Sequence, residues 1–196
     1  MLRSFHQWLK PEGQVLVQVP DVERNPYDLG VMDHVSHFTN ATLRLCARTA
    51  GFEIAADGHP WTHNCLTLLL GRPASLTEAA HEPGAVAASS NPFDWLNTQI
   101  QFFGRKVGSR GYAIFGTGMA SLLLAVQLPR MPRYFVDEDD RRVGGSINGI
   151  PILHPQELRE PGPIVMPFQS STSQTLARRL TSQFPVLKPE CFLYCE

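Results

Sequence analysis

The chain has 196 residues, 43% hydrophobic and 18% charged, with a formal net charge of −1. That is enough chain and apolar content for one large domain or two small ones with a buried core. The absence of a basic stripe argues against nucleic acid or a membrane surface as partner, and no run reaches the roughly 18 apolar residues of a membrane span.

The opening residues, MLRSFHQWLKPEGQ, contain no apolar signal core. Cys46, Cys65, Cys191 and Cys195 are too scattered for a disulfide framework, and the last pair lacks the companion pair of a zinc site. The expectation is a reduced, cytoplasmic protein.

In chain order, residues 2–10 predict a helix with Leu2, Phe5, Trp8 and Leu9 on one face. A PEGQ turn leads into the strand VLVQVP, which ends at Pro20, and residues 21–37 read as an irregular polar loop. Thr39 or Asn40 caps a helix with an apolar stripe of Leu43, Cys46, Ala47 and Ala50, and Gly51 stops it. Strands FEIAADG and CLTLLLGR follow. Residues 73–91, rich in Ala, Ser, Gly, Pro and Glu, read as a linker.

A helix with Phe93, Leu96, Ile100 and Phe103 on its apolar face then opens a second domain, residues 92–196. Its strands are expected at 111–115, 133–137, 150–153, 163–167 and 191–194, with helices at 119–128, near 155–159 and at 172–183. Alternation of strands and helices predicts an α/β fold with a parallel sheet covered by helices.

Several features of residues 1–72 occur in a familiar order: WLKPEGQVLVQVPD, then DHVSHFTNATLRLCARTAGFEI, then two strands. This segment resembles the C-terminal part of a class I S-adenosylmethionine-dependent methyltransferase. The resemblance implies a remnant of that sheet, with the last strand between the other two. The glycine-rich loop that holds S-adenosylmethionine in the family is not found here, nor is the acidic residue that holds its ribose. The expectation is a chain inactive by itself, with a missing N-terminal half or a homodimer covering the sheet. DHVSHF is similar to the EHLSYF segment of sugar C-methyltransferases, in which a histidine-bearing loop lies over the sugar and serves proton abstraction. That family carries a second, Rossmann-like domain, matched here by FGTGMAS, YFVDEDD and GGSINGIPILHPQEL. The implied substrate is a small molecule, such as a nucleotide sugar.

Within this frame His34 and His37 are the candidate catalytic residues, since an imidazole can take a proton from a carbon acid or hydroxyl. They could equally pack against or cap the following helix. A zinc site built from them with His59 and His63 would need a further carboxylate or cysteine. Gly116, Thr117 and Gly118 form a G-x-G turn between a strand and a helix. Asp137 follows at the end of the next strand, where an acid could bind ribose hydroxyls. Ser170 and Ser171, with Thr172 and Ser173, stand at a strand end that could share the same crevice, or they cap a helix. The alternative function is therefore a module binding NAD, another nucleotide, a sugar nucleotide or coenzyme A, with the glycine turn serving only the fold as a further possibility. The acidic run at 137–142, closed by Arg141 and Arg142, reads as a solvated turn, and GGSINGIPI as a flexible loop into a strand.

Overall fold

A computed structural model describes residues 1–58, 64–73, 91–109 and 111–194. The chain divides into two compact units, Met1–Pro92 and Phe93–Glu196, in a mixed α/β fold with two sheets. Among the described residues no helix is long and apolar enough to cross a membrane. Most of the expected linker, together with His59, His63 and Cys195, lies outside the described residues.

In the first unit a 3-10 helix, Leu2–Gln7, precedes strand β1, Gln14–Pro20. The expected helix over 2–10 stops early because Lys10 precedes Pro11, a position that disfavours helical backbone. Helix α1, Asn40–Thr49, begins at Thr39. The Thr39 side chain accepts from the Thr42 amide, and the Thr42 hydroxyl oxygen accepts from the Thr39 amide. Its end is a Schellman motif: Gly51, at φ +86°, donates to Arg48, and Phe52 donates to Ala47.

Strands β2, Glu53–Gly58, and β3, Cys65–Gly71, complete a sheet of order β1-β3-β2. Both outer strands run antiparallel to β3, so they run parallel to one another. Period-2 alternation puts Val15, Val17 and Val19 on one face with Leu66, Leu68 and Leu70, against Leu43 and Ala47 of α1 and Phe52. Across the sheet Leu16 remains exposed, and Gln18 donates to the Thr67 hydroxyl at 3.1 Å.

The second unit contains α2, Pro92–Val107; β4, Ala113–Phe115; α3, Met119–Gln127; and β5, Tyr134–Val136. Strands β6, Ser146–Ile147, β7, Ile150–Leu153, and β8, Ile164–Val165, lead to α4, Ser170–Gln183, and β9, Phe192–Leu193. The sheet order is β6-β7-β5-β4-β8-β9, parallel throughout except for the β6–β7 pair. The chain reverses its direction of travel across the sheet between β4 and β8, which are neighbours. Ala177 and Leu180 of α4 join Ala113, Phe115, Val136, Ile164 and Phe192 in one core.

Further details differ from the sequence reading. GGSINGIPI is a β-hairpin, with Asn148 at φ 50° and Gly149 at φ 79°. Positive φ at both central residues is the type I′ turn that Asn-Gly favours, because its twist matches that of paired strands. The buried residues of α2 are Gln99, Phe103 and Val107, whereas Phe93 is 61% exposed, so the inward stripe is rotated from the one expected.

Candidate functional site

The loop after β1 is closed at its neck. Asp21 and Phe38 form a parallel bridge, and the Val22 amide donates to the Phe38 carbonyl at 3.1 Å. The Asp21 carboxylate turns the chain by accepting from the Glu23 and Arg24 amides at 3.0 and 3.4 Å. Pro26 then starts a short 3-10 helix, Pro26–Gly30, whose residues Pro26, Tyr27 and Asp28 are buried.

Asp28 is 4% exposed and holds both candidate histidines. His34 Nδ1 lies 2.8 Å from Oδ1, and His37 Nδ1 lies 3.1 Å from Oδ2. An ionised carboxylate only accepts, so each ring donates its Nδ1–H and a neutral ring keeps a lone pair on Nε2. Among the described residues no hydrogen bond engages either Nε2. Both side chains are partly exposed, 38% for His34 and 28% for His37, so the site is a buried anchor beneath two accessible bases. Met32 and Val35, which flank His34 in sequence, are each 93% exposed.

Sequence reasoning missed Asp28. It lies six residues before His34 in a stretch without hydrophobic periodicity, and the nearer acid, Asp33, is exposed. The available signal was the Pro-Tyr-Asp start of a tight turn close to two histidines. Among the described residues no group of three or more His, Cys, Asp or Glu could hold a metal ion. Among the described residues of the first unit β1 runs into Pro20 and the Asp21 turn, not into a glycine turn that could cradle S-adenosylmethionine. The described residues do not fit that cofactor.

In the second unit Gly116 adopts φ +78° at the turn from β4 into α3, and its amide donates to the Val136 carbonyl of β5 at 2.7 Å. The buried Ser121 hydroxyl returns to the Phe115 carbonyl at 3.0 Å. Gly118 is the helix N-cap, so no side chain caps the first turn of α3.

Asp137 is 9% exposed and already engaged. The Thr117 hydroxyl donates to its Oδ2 at 2.6 Å, and the Asp139 amide donates to its Oδ1 at 3.0 Å. Arg142 reaches the Thr117 oxygen at 2.7 Å and stands 3.6 Å from Asp137. A ribose diol would share this carboxylate with the Thr117 hydroxyl and the Asp139 amide. The acidic run is therefore not uniformly solvated. Arg141 pairs in a fork with Asp139, and its hydrogen bonds lower that carboxyl to about 2.

Ser170 and Ser171 begin α4, just past β8. The Ser170 hydroxyl accepts from Gln174 at 3.1 Å, and the Ser171 carbonyl accepts from Thr175 at 2.9 Å. The Ser173 hydroxyl is buried and donates to the Phe168 carbonyl at 3.2 Å. Phe168 joins the two strand-to-helix turns: its ring meets Phe115 edge-on at 6.4 Å, and its edge would lie 3.9 Å from a Cβ on Gly116. Gly116, Thr117, Gly118 and Asp137 thus cluster tightly, with Ser170 and Ser171 at the neighbouring turn. The chain matches no family model and no curated protein sequence.

Proposed function

We propose that the first unit is the acceptor-handling part of a methyltransferase acting on a small carbon acid, such as a nucleotide-linked keto sugar. In this reading His34 is the base. The observation that carries it is the 2.8 Å bond from His34 Nδ1 to the buried Asp28 carboxylate, which leaves Nε2 as the proton acceptor of a partly exposed ring. The order β1-β3-β2, with an antiparallel strand in the middle, supports a methyltransferase-like sheet. S-adenosylmethionine would be held by a segment outside these residues, and no step here depends on it.

Deprotonation can be tested without methyl transfer. The chain is incubated in D2O with a thymidine-diphosphate-linked 4-keto-6-deoxy sugar, and the proton on the carbon beside the carbonyl is followed by NMR. Wild type should wash that proton out faster than buffer, and His34→Ala should slow it by about 100-fold or more. A wild-type rate equal to that of buffer overturns the reading.

The second unit supports a separate reading as a Rossmann-like binding module. Its parallel strands stand in the order third, second, first, fourth, fifth, and the glycine turn lies where that order reverses. Thermal shift with NAD, NADP, UDP-glucose and coenzyme A tests it. A shift with one of them that Gly116→Val abolishes supports binding, and no shift with any of them removes the reading.

A further inference from the structure

We propose that His34 and His37 form one acid–base pair on Asp28, with His37 as the second catalytic residue, delivering a proton to the substrate carbonyl oxygen as His34 removes one from the adjacent carbon. The inference rests on the carbon-acid reading above and extends it to a role for each ring.

The argument begins with charge. Asp28 is almost wholly buried, and each of its oxygens accepts from a different imidazole. A buried carboxylate is stable when neighbouring charge balances it, and one carboxylate balances one imidazolium. With both rings anchored through Nδ1, the pair acts in the state in which one Nε2 carries a proton and the other keeps its lone pair. A single base taking a proton would change the net charge around Asp28 by one unit in mid-reaction. Two rings working together leave it constant.

The step balances. The Nε2 lone pair of His34 takes the proton from carbon, and the C–H electron pair becomes the C=C bond of an enol. The carbonyl π pair moves onto oxygen, which takes the proton from Nε2 of the His37 imidazolium. The two rings have exchanged roles, the number of protons they carry is unchanged, and no oxidant or reductant is required. The substrate class is thereby narrowed to compounds with an acidic C–H beside a carbonyl oxygen that can be reached together with it. Asp28 acts through the rings and is a positioning residue.

Long-range proton–nitrogen NMR of the histidine side chains in the full chain gives the first test. Both rings should carry Nδ1–H, and finding either neutral ring protonated only on Nε2 overturns the pair. The second test is the deuterium exchange above with His37→Phe, which keeps a ring but no transferable proton. The expected loss is about 100-fold. Asp28→Asn should also slow exchange and, unlike a merely structural substitution, disturb the tautomers of both histidines. If His37→Phe exchanges within about twofold of wild type while His34→Ala does not exchange, the pair is refuted and the single-base reading stands. If wild type does not exchange at all, both fall.

Discussion

Burying a carboxylate requires donors to replace the water it loses, and Asp28 obtains them from two rings that remain partly in solvent. Asp28→Ala removes two hydrogen bonds to a charged group and should lower stability by about 1.5–3 kcal/mol, read from urea unfolding. His37→Ala should cost less, since Asp28 would keep His34. A loss for His37→Ala equal to that for Asp28→Ala would mean that the carboxylate depends on both rings. The two glycines of the β4–α3 turn should respond in opposite ways. At φ +78° a Cβ on Gly116 costs about 1–2 kcal/mol of backbone strain, although its contacts would be ordinary, the nearest being Ser121 Oγ at 3.5 Å. Gly118 has extended backbone and open space at an uncapped helix start, so Gly118→Ser should be neutral or stabilising by a few tenths of a kcal/mol. Thermal melts of the two variants check the contrast. The need for glycine at position 116 was legible in the sequence, because a tight strand-to-helix turn requires that conformation. The bond from Thr117 to Asp137 was not, because it joins residues brought together only when β4 and β5 pair.

Among the elements, α1 was the most legible, because its cap, its terminating glycine and the Leu43 and Ala47 part of its stripe agree, although Cys46, expected in that stripe, is exposed. Thr39→Ala removes the side-chain half of the capping box and should destabilise by about 1 kcal/mol in a denaturant titration. Helix α2 shows the limit of periodicity. Its pattern revealed a helix but not its inward face, because the tertiary packing buries the polar Gln99 in line with Phe103 and Val107. The turn of the β6–β7 hairpin is legible in Asn148-Gly149, but strands of two and four residues in a glycine-rich stretch carry little alternation. The 3-10 helix that carries Asp28 is only five residues long, and its burial comes from the closed neck of the loop, which joins residues distant in sequence.

At the scale of the whole molecule, the two clearest titration effects set limits on the pH range of stability. Tyr112 is 2% exposed and donates to the Arg130 carbonyl, and burial raises its phenol from 10.0 to about 12. Burial also raises Tyr134. Between those two values for Tyr112 the unfolded chain has lost a proton that the folded chain keeps, so rising pH favours unfolding. At the other limit, Asp139 is lowered from 3.8 to about 2 by its hydrogen bond from Arg141. There the unfolded chain gains a proton that the folded chain resists, so the contribution is present above the unfolded value and is lost as pH falls toward 2. Tyr112→Phe separates the two consequences of a buried phenol. It removes the hydroxyl that must stay protonated, so the melting temperature should fall less steeply between about pH 10 and 12 than in wild type. At neutral pH the same variant leaves the Arg130 carbonyl without that donor and should be less stable by about 1 kcal/mol. Melting curves of both proteins across that range should therefore converge as pH rises, and parallel curves would show that Tyr112 does not drive the alkaline limb.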